Sequence, residues 1–377
     1  MAPSLHVAVI GGGIIGCASA LGLAKRGCRV TVLERGTPGG EASSAAAGLL
    51  SPLGPSADPS PFNRLAVESW RLYPGAVAEL RALTGVDVEH MTAGTLYPVS
   101  GPAELAAARE RLRWPLAREF GIQVIEGGDL AALEPALAKD VTAARLVAGD
   151  QWVNNERLAT AYALGATARG VSMRTGVQVE RVLVEGARVR GVVADGERVV
   201  ADAVLLAAGA WSGPLAAGVG LPLPVEPVRG QMLAVSHVPA LLRHALHGED
   251  IYLVPRPSGE LLIGATVERV GFERAVTPDG IAALIEQAVA LVPEIGRRPI
   301  TRTWCGFRPA VPDSMPVLGP APDVAGLFVA TAHFRNGILL APVTAAVMTR
   351  CIVDGDVPES IGPFLPNRFP KIGAPGL

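Results

Sequence analysis

The sequence is poor in cysteine and in charge. Four cysteines lie far apart among 377 residues, at Cys17, Cys28, Cys305 and Cys351. This spacing excludes a disulfide scaffold and a CxxC metal or redox motif, and it is typical of a reducing compartment. Charged residues make up only 18% and the formal net charge is −2, so no basic surface for nucleic acid or an anionic membrane is indicated. We therefore predict a cytoplasmic protein with neither nucleic acid nor membrane as a partner.

Apolar residues and glycine are abundant instead. Hydrophobic residues account for 49% of the chain and glycine for 44 positions, which is typical of a compact α/β protein with a large core. A chain of this length predicts two domains rather than one. The apolar stretch 5–24 lacks the basic start of a signal peptide and is interrupted by glycines, so we predict no targeting segment.

The first forty residues predict a nucleotide-binding βαβ unit. A β-branched run leads into Gly11, Gly13 and Gly16, a predicted helix covers about 14–26, and a second strand covers 29–34. The three glycines permit a tight turn, the approach of a pyrophosphate, and close packing of helix on strand. The helix N-terminus favours phosphate, and Glu34 lies where an acid binds a ribose hydroxyl.

A loop of small residues follows at 36–52, where an NAD domain would continue with further βα units. Small residues let the backbone approach a flat ligand, and Ser43 and Ser44 supply donors for phosphate or ribitol oxygens. A flexible linker is the alternative, but the run from Ala45 to Leu50 is apolar, whereas linkers are solvated. The loop favours FAD over NAD.

Three segments, GGGIIG, LERG and ASSAAAGLL, resemble the FAD-binding start of the D-amino acid oxidase superfamily, and within it the glycine oxidase branch. The resemblance spans almost the whole chain, with its motifs in order. It implies an α/β fold, in which an FAD-binding Rossmann-like domain is interleaved with an α+β substrate domain built on a mixed sheet. It also implies a homotetramer. We assign 1–85, 150–222 and 310–377 to the FAD-binding domain, and 86–149 and 223–309 to the substrate domain.

Further elements follow from the hydrophobic pattern. A charged amphipathic helix is predicted over 103–120, another helix over 156–169, a hairpin over 177–193 and a buried strand over 203–209. Strands at 229–235, 251–255 and 260–266 predict a mixed sheet beside a cavity, with a helix at 278–292. The strand 327–331 precedes a last helix at 337–351.

Arg308 and Tyr252 are the candidate substrate-binding residues. The carboxylate of an amino acid must be held firmly, and the planar fork of arginine binds it through two parallel hydrogen bonds. In the glycine oxidase branch the arginine of the FRP motif and the tyrosine of the YxVPR motif have this role, so the resemblance assigns it to Arg308 and Tyr252. On residue type alone, a surface arginine and a half-buried strand tyrosine would be the better interpretations.

The segment HFRNGILLAP, 333–342, predicts a buried helix that begins at Gly337. Its unpaired N–H groups and positive dipole end would stabilise negative charge on a reduced flavin. The resemblance implies that this segment contacts FAD and that Arg335 also contacts the substrate. The full implied set of cofactor residues is Gly11, Gly13, Ile14, Ile15, Gly16, Glu34, Arg35, Ala42, Ser43, Ala47, Gly48, Leu49, Val177, Gly209, His333, Phe334, Arg335, Asn336, Gly337, Ile338 and Leu339.

Two weaker signals have plain interpretations. His237, His244 and His247 lie in a polar stretch that we interpret as a surface loop, so no metal site is predicted. Cys305 lies near the point where some relatives of the superfamily bind FAD covalently. We interpret it as an inert buried thiol and predict non-covalent FAD.

The resulting functional prediction is an FAD-dependent oxidase of glycine or a small or N-substituted amino acid. Hydride passes from Cα to flavin N5, oxygen is reduced to hydrogen peroxide, and glyoxylate or a keto acid leaves with ammonia or an amine. The resemblance implies a role in thiazole supply for thiamine synthesis. Leu49 and Val267 stand where some relatives have methionine, so a specialised oxidase of a larger N-substituted glycine stays open. A D-amino acid dehydrogenase with a non-oxygen acceptor also stays open.

Overall fold

The computed structural model describes residues 4–54 and 60–369, so residues 1–3, 55–59 and 370–377 of the predicted FAD-binding domain lie outside the described part. The strands are β1 (His6–Ile10), β2 (Arg29–Glu34), β3 (Leu49–Leu50), β4 (Thr95–Pro98), β5 (Ile122–Glu126), β6 (Ala143–Val147), β7 (Gln151–Trp152), β8 (Ser172–Thr175), β9 (Val179–Glu185), β10 (Arg188–Ala194), β11 (Glu197–Val200), β12 (Ala203–Leu206), β13 (Glu226–Ser236), β14 (Ala245–His247), β15 (Tyr252–Pro255), β16 (Glu260–Gly264), β17 (Ile300–Ala310), β18 (Val317–Pro320) and β19 (Leu327–Thr331). The helices are α1 (Ile14–Lys25), α2 (Ala42–Ala45), α3 (Pro61–Thr84), α4 (Gly101–Glu110), α5 (Gly127–Leu133), α6 (Asn155–Ala168), α7 (Ser212–Ala217), α8 (Pro278–Leu291) and α9 (Gly337–Thr349).

The first sheet has the order β18-β19-β12-β1-β2-β8 and is parallel apart from its β18 edge. Every residue of β1 is buried, because Val7 and Val9 face the cluster of helices α1, α3, α6 and α9, whereas Ala8 and Ile10 face β9, β10 and β12. The carboxyl ends of β1, β2 and β12 meet at one edge, which is where parallel α/β sheets bind ligands.

The second sheet is mixed and has the order β17-β13-β16-β15-β14-β4-β6-β5. Along β13, Leu233 and Val235 pack with α8 on the far side. Met232 and Ala234 point the other way and pack with Ala47. Ala47 belongs to what we call the first unit, which is the first sheet with α1, α2, α3, α6, α9 and the loops between them. This alternation leaves one face of the second sheet turned towards the ligand-binding edge of the first.

The predicted α/β fold class is confirmed, and α1, α6, α8 and α9 lie within a few residues of their predicted bounds. The helix predicted over 103–120 is wrong in length. α4 ends at Glu110 and is followed by a 3₁₀ turn, Arg111–Arg113. Pro115 disfavours a helical conformation at Trp114, whose ψ is 145°, so the helix cannot continue. The domain boundaries stay a prediction.

The segment Gly337–Asp354 is long and apolar enough to cross a membrane, but 72% of it is buried inside the fold. It consists of α9 and a π-helical turn, Arg350–Asp354. Its apolar side chains pack in the same cluster as α1 and α3. Such burial is the ordinary situation of a core helix.

Candidate active site

A cavity of about 880 Å³ lies between the two sheets. Its walls come from the loops after β1, β2 and β12, from the 36–54 segment, and from the inner face of β13, β15 and β17. The start of α9 forms a further wall. The cavity therefore reaches from the glycine turn of the first unit to the second sheet.

The glycine turn is shaped by close backbone contacts. Gly11 has φ +102°, a backbone conformation that glycine adopts more readily than other residues. At position 16, a Cβ would overlap the carbonyl oxygen of Gly11. The N-cap residue of α1, Gly13, has no side chain, and the first turn opens on the cavity there, with Ile14 N donating to Ser43 Oγ at 3.0 Å. The carboxylate of Glu34 accepts hydrogen bonds from Gly12 N (2.7 Å) and Gly36 N (2.8 Å), which holds it beside the turn.

The predicted cofactor residues come together at this cavity. Nineteen of the positions line it: Gly11, Gly13, Ile14, Ile15, Glu34, Arg35, Ala42, Ser43, Ala47, Gly48, Leu49, Val177, Gly209, His333, Phe334, Arg335, Asn336, Gly337 and Ile338. Gly16 lies behind the lining, under the turn, and the Leu339 side chain is 1% exposed in the core. The assignment of cofactor contacts to individual residues stays a prediction.

Arg308, Tyr252 and Arg335 line the end of the cavity that lies against the second sheet. Arg308 Nη1 donates to the carbonyl of Thr266 at 2.9 Å, and the guanidinium keeps further N–H groups for a ligand. The Tyr252 hydroxyl donates to the Met232 sulfur at 3.7 Å. Burial and the charge of Arg308 lower the pKa of Arg335, so two cations share one small space. That arrangement favours an anionic group between them.

The start of α9 is the second unusual backbone region of the site. Ala332 and Phe334 have φ +58° and +48°, which is uncommon for residues with side chains and is typical of functional sites. His333 between them is buried, its Nε2 lies 3.0 Å from Thr344 Oγ1, and burial lowers its pKa to about 3. Asn336 precedes the helix without a side-chain cap, so the first N–H groups face the cavity.

His247 is a cavity residue that the sequence prediction missed. It ends β14 opposite Tyr252, and its ring stacks on Tyr97 with centroids 5.3 Å apart. Burial, followed by the charges of Arg335 and Arg145, lowers the pKa of His247 to about 4, so the ring is neutral at pH 7. No motif marks this position, and a three-residue strand is too short to be recognised from alternation.

The surface-loop interpretation of the three histidines is wrong. His237 is 7% exposed, and His244 Nδ1 lies 2.7 Å from Oε1 of the buried Glu134. The stretch is ordered because β14 inserts between β4 and β15 in the second sheet. Within 4–54 and 60–369, no group of three or more His, Cys, Asp or Glu residues is arranged to hold a metal ion.

Comparisons with known proteins agree with this geometry. Residues 6–351 match the family model described as FAD dependent oxidoreductase (DAO). The chain is 36% identical to the glycine oxidase of Geobacillus kaustophilus, over 97% of this chain and 98% of that protein. The crystal structure of that enzyme covers 97% of this chain and 100% of its own, with a TM-score of 0.91 and 34% identity. The bifunctional protein ThiO/ThiG of Trichormus variabilis is 38% identical over 97% of this chain, which spans 55% of that longer protein.

These matches cover nearly all of the chain at identities well above 30%, and they agree with the glycine turn, the Glu34 carboxylate and the two-sheet cavity. The chain therefore belongs to the DAO family of FAD-dependent oxidoreductases.

Proposed function

We propose that this protein is an FAD-dependent oxidase that oxidatively deaminates glycine or a small N-substituted glycine. The observation that carries the proposal is the placement of Arg308, Tyr252 and Arg335 on one cavity wall, next to the start of α9. Loss of hydride leaves the imine of the substrate, which water hydrolyses, so the products would be glyoxylate, ammonia or an amine, and hydrogen peroxide. Molecular oxygen is the second substrate.

The described residues fit FAD. The cavity of about 880 Å³ suits an extended dinucleotide, and the glycine turn at the start of α1, which opens on the cavity at Gly13, suits a pyrophosphate. The chemistry that bound FAD supplies is acceptance of a hydride from the substrate Cα and transfer of the electrons to oxygen. Gly306, Phe307 and Arg308 line the cavity, whereas Cys305 does not, and this supports non-covalent binding. The Cys305 side chain is half-buried and not buried as predicted.

The protein's own side chains would position the substrate. Arg308 would hold the carboxylate through its free N–H groups, and Tyr252 would add a neutral donor. Arg335 would supply a second positive charge, and the neutral ring of His247 would offer a hydrogen-bond partner without further charge. When the carboxylate is held in place, the direction of the Cα–H bond is set as well, so orientation of the substrate would accelerate hydride transfer.

The start of α9 would stabilise charge at the cofactor end of the same space. Its first N–H groups have no side-chain cap, and Gly337 lets the backbone come close to a ring. A helix N-terminus directed at developing negative charge stabilises it without rearrangement.

Homotetramer formation, a cytoplasmic location and thiazole supply for thiamine synthesis complete the proposal. They rest on the glycine oxidase resemblance, and relatives named ThiO/ThiG support the thiamine role.

The test is hydrogen peroxide release by purified protein on a panel of glycine, sarcosine, N-ethylglycine, D-alanine, D-proline and a bulky N-alkylglycine. Flavin bleaching is followed in parallel without oxygen. Peroxide with glycine and sarcosine as the best substrates supports the proposal. Bleaching without peroxide would indicate a dehydrogenase, and turnover of the bulky amine alone would exclude the thiamine role.

Two variants assign the carboxylate site. Arg308→Ala is expected to raise KM for glycine about 100-fold, because two charge-assisted hydrogen bonds are lost. Arg308→Lys keeps the charge but not the fork, so it should recover only part of the loss. An unchanged KM in Arg308→Ala would remove Arg308 from the substrate site.

A further inference from the structure

A long irregular segment, residues 265–277, connects β16 to α8, and its first three residues, 265–267, line the cavity. We call it the strap. Connections of this length are uncommon in compact domains, and they are often functional. Most strap residues are exposed, so its position depends on a few specific contacts.

One end of the strap is fixed to the second sheet. Arg229 and Glu268 exchange two backbone hydrogen bonds of 2.9 Å, and Arg229 Nε donates to Glu268 Oε2 at 2.9 Å. Gln231 Nε2 donates to the other carboxylate oxygen of Glu268 at 2.8 Å. Burial alone would raise the pKa of Glu268, but hydrogen bonds from Thr266, Arg229 and Gln231 bring it below its ordinary value. These hydrogen bonds hold this end of the strap firmly against β13.

The other part of the strap, which we call the tip, reaches the first unit. The ring of Phe272 stacks on Trp211, with centroids 4.8 Å apart and an angle of 19°, although Phe272 is 45% exposed. Arg274 forms an ion pair with Glu41. The tip also packs on Phe307 of β17, with the Phe272 ring edge-on at 5.5 Å and the Arg274 guanidinium 5.0 Å from the ring centroid, so it bridges the cofactor side and the second sheet.

Trp211 and Glu41 are also in contact with Arg35. The Arg35 guanidinium lies 3.6 Å from the Trp211 ring centroid, and Arg35 Nη2 lies 2.9 Å from Glu41 Oε1. Arg35 directly follows Glu34, the carboxylate placed for a ribose. All three contact residues line the cavity. The tip thus lies outside the adenosine end of the cofactor space.

We propose that the strap is a latch on FAD, in which Phe272 and Arg274 are positioning residues that hold Trp211 and Glu41 against the adenosine end. The proposal rests on FAD as the cofactor and not on the substrate. Release of FAD requires the tip to detach, so the stack and the ion pair slow release. Because both contacts are partly exposed, each contributes modestly and they act together.

The test measures FAD release from the holoenzyme by the rise in free-flavin fluorescence after dilution. Phe272→Ala and Arg274→Ala are each expected to release FAD about threefold faster than wild type, and the double variant about tenfold faster. At about 1 M salt, where the Debye length is about 3 Å, wild-type release should speed up while Arg274→Ala responds less.

Two variants on the same strap are the controls. Val270→Ala shortens an exposed apolar side chain, and Arg269→Ala removes an arginine paired with Glu226 instead of the first unit. Both should release FAD at the wild-type rate, and the apo-proteins should melt alike. Equal release from the double variant and wild type would overturn the latch, as would flavin that stays with acid-precipitated protein. If the double variant does not fold, FAD release from Arg274→Gln is compared with wild type at low and at about 1 M salt. An Arg274→Gln variant that speeds up with salt as much as wild type would overturn the latch.

The experiments distinguish failure of the proposed glycine oxidation from failure of the proposed latch. A protein that retains FAD through the strap but releases no peroxide with any amine keeps the latch and loses the proposed function. A protein that oxidises glycine but releases FAD at the same rate with and without Phe272 and Arg274 keeps the proposed function and loses the latch.

Discussion

At the scale of single residues, the guanidinium of Arg308 lies against the backbone of Gly230 on the neighbouring strand β13. A Cβ at position 230 would overlap that guanidinium. The displaced group is the end of a flexible side chain, so we expect Gly230→Ala to keep its stability within about 1 kcal/mol of wild type. Loss of the carboxylate fork should nevertheless raise KM for glycine about tenfold. Steady-state kinetics and urea unfolding measure the two effects.

A double variant tests whether Gly230 acts through Arg308 alone. In an Arg308→Ala background the guanidinium is already absent, so adding Gly230→Ala should leave KM unchanged. A further loss in the double variant would mean that the added methyl group disturbs the cavity by another route.

Asp150 is a second residue whose position predicts a measurable effect. It is fully buried, accepts a hydrogen bond from the Tyr97 hydroxyl at 2.7 Å, and has its pKa raised from 3.8 to about 6, chiefly by burial. The folded state therefore binds the proton more tightly than the unfolded state. Stability from this group is complete below pH 4, falls as pH rises from about 4 to 6, and is constant above that range.

Asp150→Asn removes this ionisation while keeping an acceptor for Tyr97. The variant should match wild type near pH 4 and exceed its free energy of unfolding by up to about 3 kcal/mol at pH 7. Urea unfolding across this pH range measures the difference. A difference that does not change with pH would contradict the assignment to Asp150.

At the scale of elements, α9 contains a proline, and a side chain of α3 supplies the hydrogen-bond donor that the proline lacks. Pro342 has no N–H, so the carbonyl of Ile338 lacks its helical donor, and the Tyr73 hydroxyl donates to it instead. Ser69 Oγ donates to the next carbonyl, Leu339 O, at 2.6 Å. We expect Tyr73→Phe to destabilise the protein by about 1–3 kcal/mol, because it leaves a buried carbonyl unpaired.

The control restores the missing donor. In a Pro342→Ala background residue 342 regains its N–H, so Tyr73→Phe should cost clearly less than it does with Pro342 present. Equal costs in the two backgrounds, measured by urea unfolding, would mean that Tyr73 contributes through packing rather than through this hydrogen bond.

Elements with local signals were predictable from the sequence. The glycine turn, α1 and the Arg-Asn-Gly start of α9 each carry their signal within about one helical turn. The place of Arg308 and Tyr252 at the cavity was predictable because a motif marked each of them. His247, Gly230 and the strap were not, because their positions follow from strand register and from contacts far apart in sequence, such as Arg274 with Glu41. No local propensity encodes such contacts.

At the scale of the whole molecule, two arginines of the second sheet cross to the first unit in different surroundings. Arg256 is 4% exposed and donates to Val153 O, to Ala47 O at 2.9 Å and to Asn155 Oδ1 at 2.6 Å. Asn155 in turn donates to Ser43 O at 2.8 Å. Burial lowers the pKa of Arg256 to about 10, which leaves it charged at pH 7.

Arg302 also connects the second sheet to the first unit, but its contacts are exposed to solvent. Its side chain is 40% exposed and pairs with Glu156 at 2.7 Å and with Glu260 at 3.0 Å. Because exposed ion pairs contribute little, Arg302→Ala should change the free energy of unfolding by no more than about 1 kcal/mol.

Arg256→Ala should behave quite differently, although it also removes one arginine between the same two units. It would leave three buried acceptors unpaired, so we expect a loss of about 3 kcal/mol or more. It should also weaken FAD binding, because Asn155 holds the Ser43 segment and Ser43 Oγ accepts from Ile14 N at the start of α1, 3.0 Å away. Urea unfolding of the apo-protein and flavin fluorescence titration measure the two effects. Similar losses in Arg256→Ala and Arg302→Ala would show that total charge across the interface, and not the buried hydrogen bonds of Arg256, holds the two units together.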